Sequence, residues 1–355
     1  MNLLSEVDLG VIRRNVEAVR RKTRVRVLVM VKADAYGHGM TAVARALEGT
    51  ADRFGVATPE EGVELRKNGI STPVLVAVCR PCELAAAARH KLTVAVADPV
   101  TLRAVADMPR EARPAFHLKF DTGMHRLGFP SSDAGAVAEF LHERGISPEG
   151  VYSHFREPDA GQLAEFGKAA KVFKARFPDV TAHIASSSSL GMAGAAYDMV
   201  RIGHAAYDGA MSVTSRVIAV REAKAGECVG YGHFRLARDT SLAVVFGGYF
   251  DGVYRESPSP VVINGKICPV VGSVCMDMFA VDAGGTEART GDEAVLLGGA
   301  LSASYVAAAR GTSDYEVMTC WHGRVERKYV DEKGSTAASE CRGGSDERRG
   351  KGMGV

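Results

Sequence analysis

The sequence predicts an α/β fold, in which an eight-stranded (β/α)8 barrel of the TIM type is followed by a mainly β C-terminal domain. Eight strand-like segments alternate with helix-like segments as far as about residue 210. Such alternation implies a parallel sheet, and eight units are enough to close it. Beyond residue 210, strand-like segments are joined by Gly-rich or Asn-Gly turns, which indicates antiparallel pairing. We therefore expect the barrel at residues 9–210 and the β domain at residues 1–8 and 211–330.

The first barrel strand is the apolar run at residues 25–31, which ends at Lys32. A near-continuous apolar run suits a parallel strand covered on both faces. The segment before it is predicted to be a helix, because Ile12, Val16 and Val19 recur at helical spacing. The seven later strands are predicted at residues 54–57, 73–78, 93–97, 114–120, 151–154, 181–185 and 197–202. An open, doubly wound sheet is the alternative, but no Gly-x-Gly-x-x-Gly turn follows the first strand.

The β domain is predicted from short strands and one strong turn signal. Asn264-Gly265 separates two apolar runs, at residues 261–263 and 266–271, and is typical of a hairpin. A short helical stretch is expected at residues 305–310. Further strands are predicted at residues 216–221, 241–246, 294–297 and 317–319. Residues 331–355 are mostly Gly, Ser and charged side chains, so we expect a disordered tail.

Composition excludes several classes of protein. The formal net charge is +2 and 46% of the residues are hydrophobic, which predicts a globular protein without a nucleic-acid partner. No apolar run is long enough for a membrane span and no signal segment opens the chain, so we expect a cytoplasmic protein without a membrane partner. The seven cysteines do not form a disulfide pattern. Cys79-Arg-Pro-Cys82 lacks a second Cys or His pair nearby, so no metal site is predicted.

Polar residues recur at the ends of the predicted strands. In a barrel of this type, the C-terminal strand ends meet at one mouth, where the chemistry lies. Lys32 ends a buried strand, and partial desolvation there would lower its pKa and make it a nucleophile or base. A strand-end lysine is more often simply exposed, so this interpretation depends on its neighbours. The other polar residues at strand ends are Lys119, Asp121, His154, His183, Ser186, Ser187 and Arg201.

Nine short motifs, spread over about residues 6–330, resemble those of bacterial alanine racemases in the same order. One such string is weak evidence, whereas the whole series is highly specific. The motifs are Glu6-Val-Asp-Leu9, Val31-Lys-Ala-Asp-Ala-Tyr-Gly-His-Gly39, Lys119-Phe-Asp-Thr-Gly-Met-His-Arg-Leu-Gly-Phe129, His183-Ile-Ala-Ser-Ser187, Met199-Val-Arg-Ile-Gly203, Gly230-Tyr-Gly232, Gly248-Tyr-Phe-Asp-Gly252, Gly272-Ser-Val-Cys-Met-Asp277 and Tyr315-Glu316.

The resemblance implies pyridoxal 5'-phosphate held as a Schiff base on Lys32, and racemisation of alanine by two bases. Lys32 is the first base, and the resemblance assigns the second to Tyr231 of the partner subunit, which implies a homodimer with shared active sites. D-Alanine made in this way would supply peptidoglycan. Two bases suit the chemistry, because the α-proton must be removed from one face and returned to the other. A tyrosine has an ordinary pKa near 10, so Tyr231 needs help from groups such as His154 and Arg201.

The resemblance also assigns cofactor contacts. Arg201 matches the arginine that faces the pyridine nitrogen, and a guanidinium does not readily give that nitrogen a proton. His154 resembles a residue near the cofactor ring, while His183 is either a support for Arg201 or a purely structural residue. The phosphate is assigned to Tyr36, Ser187, the backbone around Gly203 and His204, and Tyr315.

Substrate recognition falls, by the same resemblance, to Arg126 and the backbone at Met276, because a carboxylate calls for a charged fork or free N–H donors. Lys119 aligns with a lysine that is carbamylated in many members. An unmodified Lys119 beside Arg126 would be a like-charge neighbour, so carbamylation or an acid such as Asp121 should compensate.

Several departures from the family pattern leave the substrate open. Ser186 replaces the usual asparagine, His204 an aliphatic residue and Phe250 a small one, and Arg156 follows Ser153-His-Phe. The alternatives are therefore a racemase of broader specificity, which takes serine or another small amino acid, or a related decarboxylase. A pyridoxal-phosphate homeostasis protein is a third alternative, against which the long β domain argues.

Overall fold

A computed structural model describes residues 3–331 and 337–340 of the chain. These residues divide into two compact units. The barrel unit comprises residues 8–211 and 303–320, and the β unit comprises the described parts of 1–7, 212–302 and 321–355. The segment 303–320, which we placed in the β domain from sequence, is thus grouped with the barrel. Most of the predicted disordered tail lies outside the described residues, although residues 337–340 form a strand that we did not predict.

The chain opens with strand β1 (Leu3–Asp8) of the β unit, and the barrel follows. All eight predicted barrel strands are present, parallel, and hydrogen-bonded in the order β10-β2-β3-β4-β5-β6-β8-β9. Asp198 N donates to Ala182 O (3.1 Å) and Arg201 N to Ala185 O (3.0 Å), so β9 and β10 meet and nearly close the sheet. The strands are β2 (Arg26–Met30), β3 (Arg53–Val56), β4 (Val74–Val76), β5 (Thr93–Val96), β6 (Phe116–Asp121), β7 (Phe129–Pro130, beside β6), β8 (Gly150–Tyr152), β9 (Thr181–His183) and β10 (Met199–Ile202).

Helices separate most of these strands, and their ends follow local sequence signals. Asp8 caps α1 by accepting from Val11 N at 2.9 Å, and Thr58 with Glu61 forms a capping box ahead of α4. The helices are α1 (Leu9–Thr23), α2 (Lys32–Tyr36), α3 (Met40–Leu47), α4 (Pro59–Lys67), α5 (Leu84–Arg89), α6 (Pro99–Asp107), α7 (Ala134–Glu143), α8 (Ala160–Arg176), α9 (His204–Tyr207), α10 (Ala303–Arg310) and α11 (Asp314–Thr319). None of the described helices is long and apolar enough to cross a bilayer.

The β unit forms one sheet in which β1 lies between β11 and β18. Its strands are β11 (Met211–Ala223), β12 (Thr240–Phe246), β13 (Val261–Ile263), β14 (Lys266–Cys268), β15 (Val270–Val271), β16 (Met278–Asp282), β17 (Glu293–Leu297), β18 (Val325–Val330) and β19 (Ala337–Glu340). The predicted hairpin is confirmed, because β13 and β14 pair antiparallel with Ile263 opposite Lys266. Asn264 and Gly265 both have positive φ, 49° and 75°, as a two-residue primed turn requires.

Two details of the C-terminal region differ from the prediction. The strand predicted at residues 317–319 is wrong, since these residues end helix α11. Ser313 caps this helix by accepting from Glu316 N (3.4 Å), and that start signal outweighs the β propensity of Val317. Strands β16 and β18 were not predicted. The helix expected at residues 305–310 is confirmed as α10.

Candidate active site

Lys32 follows β2 directly and starts the tight turn α2. Ala33, Asp34 and Ala35 are left-handed, with φ between 52° and 54°, a conformation that costs about 1 kcal/mol or more per residue. Two hydrogen bonds tie the turn to its surroundings: Glu61 Oε1 accepts from Ala33 N (2.9 Å), and Asp34 Oδ1, within the turn, accepts from Met40 N (2.8 Å). The half-buried lysine is thus presented from a fixed backbone.

The pKa of Lys32 is lowered from its ordinary value, first by burial and then by the nearby charge of Arg126, with Glu61 opposing. A lowered pKa increases the fraction of neutral amine at physiological pH. The neutral amine is the form that attacks a carbonyl or accepts a proton. Lys32 can therefore act as a nucleophile or as a base.

Lys119 and Arg126 lie on the same side of the barrel, at the end of β6. Lys119 is buried, and its pKa is lowered to about 8, first by burial and then by Arg126 and Arg201. The Asp121 carboxylate accepts from the backbone N–H groups of Gly123 (2.9 Å) and Arg126 (3.2 Å), among others. Asp121 thereby shapes the loop that carries Arg126, and its charge opposes the lowering of the Lys119 pKa.

Arg201, on β10, is buried, and both of its Nη atoms make hydrogen bonds. Its Nη1 donates to His183 Nδ1 (2.8 Å), and its Nη2 donates to Ser153 O (2.7 Å) and His154 Nδ1 (3.0 Å). Burial lowers the pKa of Arg201 to about 10, so it remains charged at neutral pH. His183 thus supports Arg201 directly, the role that the sequence left open.

His154 is neutral in this site. Burial, followed by the charge of Arg201, lowers the pKa of His154 to about 3. It accepts a hydrogen bond at Nδ1 from Arg201, so its proton is on Nε2. The positive charge next to the His154 ring is therefore that of Arg201, and the ring itself carries no charge.

Ser187 and Gly203 lie together beyond β9 and β10. Ser187 Oγ accepts from Gly203 N (3.1 Å) and Ala205 N (3.2 Å), and its own proton stays available to a ligand. A Cβ on Gly203 would lie 2.3 Å from Tyr36 Oη, so only glycine lets the tyrosine hydroxyl approach. Burial raises the pKa of Tyr36 to about 12, which keeps this hydroxyl a donor.

The segment 303–320 completes this group of donors from within the barrel unit. The ring of Tyr315, on α11, lies 5.9 Å from that of Tyr36 and 5.4 Å from that of His204. Met318 O packs on the turn after Lys32 so closely that a Cβ on Gly37 would lie 2.3 Å from it. The structure therefore brings together Tyr36, Ser187, Gly203, His204 and Tyr315, which lie far apart in the sequence.

Comparison with known proteins gives the family. The family described as "Alanine racemase, N-terminal domain" matches residues 7–210, and "Alanine racemase, C-terminal domain" matches residues 210–329. The chain belongs to the alanine racemase family. Membership identifies it as a racemase, and therefore as an isomerase.

Relatives over nearly the full length agree. An alanine racemase of Xanthomonas campestris pv. campestris is 36% identical, over 91% of this chain and 96% of its own. A catabolic alanine racemase of Pseudomonas putida is also 36% identical, over 92% and 98%. Among solved structures, the Streptomyces lavendulae alanine racemase aligns with a TM-score of 0.84 at 32% identity, over 93% of this chain and 97% of its own. The (β/α)8 barrel and β domain of the alanine racemase fold are thus confirmed.

The remaining two predicted site residues of this alanine racemase family member lie in the β unit. Tyr231 is 70% exposed and Met276 is 52% exposed. Ser273 Oγ donates to Tyr231 O (3.1 Å), which ties the tyrosine to the loop before Met276. Both side chains therefore remain available to a partner or ligand.

Sequence reasoning missed four residues that support the barrel site. Glu61 holds the Lys32 turn, Asp314 pairs with His204, and His117 and Glu149 extend the contacts of His183. The capping box around Glu61 was a usable signal, as was the position of His117 two residues before Lys119 on one strand. Asp314 and Glu149 gave no local signal.

The Cys79-Arg-Pro-Cys82 segment has no sign of reactivity. Cys79 is buried, and burial raises the pKa of its thiol to about 12, while Cys82 is exposed. Within residues 3–331 and 337–340, no three His, Cys, Asp or Glu side chains are grouped so that they could hold a metal ion.

Proposed function

We propose that this racemase interconverts L-alanine and D-alanine with pyridoxal 5'-phosphate, acts in the cytoplasm and supplies D-alanine for peptidoglycan. The observation that carries the proposal is the placement of Lys32, with its lowered pKa, on the barrel unit that also holds the Arg201 guanidinium and the donors around Gly203. The relatives named alanine racemase support the substrate.

The side chains of the barrel unit fit this cofactor. Lys32 would carry it, and the hydroxyls of Tyr36, Ser187 and Tyr315, with N–H groups around Gly203 and His204, would hold its phosphate. The tight contact between Gly203 and Tyr36 leaves that hydroxyl beside the Gly203 backbone. Arg201 would face the ring nitrogen, with His154 beside the ring. When bound, the cofactor supplies the electron sink that makes the α-proton of an amino acid removable.

Lys32 would take or return the α-proton on one face of the substrate. The partner subunit's Tyr231 would serve the other face, so the active unit is a homodimer with shared active sites. The 70% exposure of the Tyr231 side chain supports this role, because a buried hydroxyl could not reach another subunit. The charge of Arg201 would help the tyrosine lose its proton, since His154 is neutral.

Arg126 and the backbone at Met276 would bind the substrate carboxylate. Lys119 lies near both Arg126 and Arg201, and its pKa of about 8 leaves a fraction of neutral amine at physiological pH. A neutral amine reacts with CO2 to give a carbamate and a proton. The resulting anion would offset the two neighbouring guanidinium groups and orient Arg126.

The decisive experiment is a racemisation assay of the purified, cofactor-saturated protein over a panel of L- and D-amino acids. We expect alanine to be turned over fastest in both directions. Faster turnover of serine would replace the alanine proposal with a broader racemase. Bound cofactor with no turnover of any amino acid would point to a homeostasis protein, and no bound cofactor would overturn the proposal as a whole.

A further inference from the structure

A line of four polar side chains runs through the interior of the barrel, away from the proposed cofactor site. Arg201 contacts His183 (Nη1 to Nδ1, 2.8 Å), and His183 contacts His117 (Nε2 to Nδ1, 2.9 Å). His117 Nε2 then faces Glu149 Oε2 at 3.6 Å. Both histidines are 0% exposed and Arg201 is 6% exposed, so no water competes for the contacts among these three, whereas the Glu149 side chain is 36% exposed.

The two ends of this line favour the same tautomer in both histidines. A guanidinium has donors only, so Nδ1 of His183 must accept and the proton of His183 is on Nε2. That proton points at His117 Nδ1, which therefore accepts, and the proton of His117 is on Nε2 as well. This last N–H faces the carboxylate of Glu149 at 3.6 Å, beyond hydrogen-bond distance, so the attraction between them is electrostatic. All the donors thus point the same way, from Arg201 towards Glu149.

Glu149 is held in place at the far end of the barrel, just before β8. Arg53 binds both of its carboxylate oxygens, and Thr93 Oγ1 lies 2.9 Å from Oε2. Burial would raise the pKa of Glu149, but the facing His117 ring and the Arg53 guanidinium lower it below the ordinary value. The carboxylate is therefore ionised and has no proton to donate.

Gly150 provides the room for this arrangement. A Cβ at residue 150 would lie 2.5 Å from His117 Nδ1, so any side chain there would displace the ring. The opposite polarity would place a proton on His183 Nδ1, directly against an N–H of Arg201. The acceptor-only carboxylate that faces His117 Nε2 disfavours that polarity a second time, because it offers this nitrogen no donor.

We propose that Glu149 and His117 are positioning residues, which keep His183 in the tautomer that holds the Arg201 guanidinium in place. The role of Arg201 at the cofactor ring rests on the proposed function, whereas the tautomers do not. Glu149→Gln is the sharpest test, because its amide can donate to His117 Nε2 and so permit the reverse polarity at nearly the same size. Glu139→Gln is the matched control, since it removes a surface ion pair with Arg176 between two outer helices.

The first measurement uses the cofactor-free protein with 15N-labelled histidine. We expect wild type and E139Q to show His117 and His183 as single tautomers protonated on Nε2. In E149Q we expect the ring-nitrogen shifts of both histidines to move towards a mixture. Thr93→Val, which only loosens Glu149, should move them less in the same direction and serves if E149Q does not fold. Unchanged shifts in E149Q would overturn the proposal, whether or not the protein racemises alanine.

The second measurement uses the cofactor-loaded enzyme and a kcat-against-KM split. We expect E149Q to lower kcat about tenfold, because Arg201 is then held less firmly, with KM and cofactor affinity changed less than about twofold. E139Q should retain wild-type kcat. A fall in kcat that simply follows the loss of melting temperature in both variants would count against a positioning role. A wild type without racemase activity would refute the proposed function and leave the nitrogen shifts to decide this inference.

Discussion

His204 Nε2 lies 2.6 Å from Asp314 Oδ2, a contact that joins α9 to α11 within the barrel unit. The same aspartate accepts from Tyr315 N through Oδ1 at 3.0 Å. One carboxylate therefore contacts both His204, next to Gly203, and Tyr315. The sequence resemblance assigned both of these positions to the phosphate. The departure from an aliphatic residue at position 204 has a structural consequence.

Replacing His204 by Leu should loosen α11 against α9. We expect the affinity for pyridoxal 5'-phosphate to fall about threefold to tenfold, because a half-buried hydrogen bond contributes roughly 1 kcal/mol. Fluorescence titration of the cofactor-free protein measures this affinity. Asp314→Asn should have the same effect, and Glu165→Gln, which breaks an exposed ion pair with Lys168, should not. Equal affinity in all variants would show that the pair is not part of the phosphate site.

Lys32→Ala should abolish the near-visible absorbance of the covalently bound cofactor. Racemase activity should fall by a factor on the order of 10³ or more, because this variant loses both attachment and one base. Absorbance spectroscopy after saturation with cofactor checks the first outcome. Lys168→Ala, at an exposed lysine, is the control. A Lys32→Ala protein with the wild-type band would remove Lys32 from the mechanism.

Tyr231→Phe should impair the two directions of the reaction unequally. A base that serves one face of the substrate affects α-proton abstraction from one enantiomer more than from the other. Deuterium incorporation from solvent into L- and D-alanine, followed by NMR, separates the two. Equal and small losses for both enantiomers would exclude Tyr231 as a base.

Lys119 should make stability depend on pH in CO2-free buffer. Its pKa is about 8 in the folded protein and about 10.5 when unfolded. Between these values the unfolded chain binds the extra proton, so the free energy of unfolding should rise with pH through this window. Below pH 8 the cost of the buried charge is fully present. Lys119→Met should flatten the profile measured by denaturant unfolding between pH 8 and 10; an unchanged slope would assign it to other groups.

Gly203→Ala should disturb the contact with Tyr36, because its Cβ would lie 2.3 Å from the hydroxyl. We expect a loss of about 1–3 kcal/mol in the free energy of unfolding, together with weaker cofactor binding. Gly191→Ala, whose Cβ would have no neighbour within 4 Å, is the control for both measurements. A Gly203→Ala protein as stable as this control, with full cofactor affinity, would contradict the close contact.

Local sequence pattern was sufficient to predict the strands of the barrel and most strands of the β unit. Apolar runs of the right length mark strands such as β2, and Asn264-Gly265 marks a turn, because both signals act through neighbouring residues. Residues 317–319 were misassigned because local pattern was the only guide to their structure. Their apolar character fits a strand or a helix equally, and the cap at Ser313 decides.

The contacts that support the site could not be predicted from local sequence pattern. Glu149 lies just before β8 and faces His117 on the neighbouring strand β6. Asp314 contacts His204, although most of the β domain separates these two residues in the sequence. No spacing within the chain encodes such pairs, since they exist only after the barrel has closed and α11 has docked.

The sequence by itself determined the order of strands and helices in the barrel, the placement of Lys32, Arg201 and other polar residues at strand ends, and the family. Only the tertiary structure decided which of these groups are charged. Burial in the barrel keeps His154 and His183 neutral, lowers the pKa of Lys119 to about 8 and directs the hydrogen bonds that run from Arg201 to His117. The physical reason is that desolvation and hydrogen-bond direction depend on neighbours contributed by distant parts of the chain.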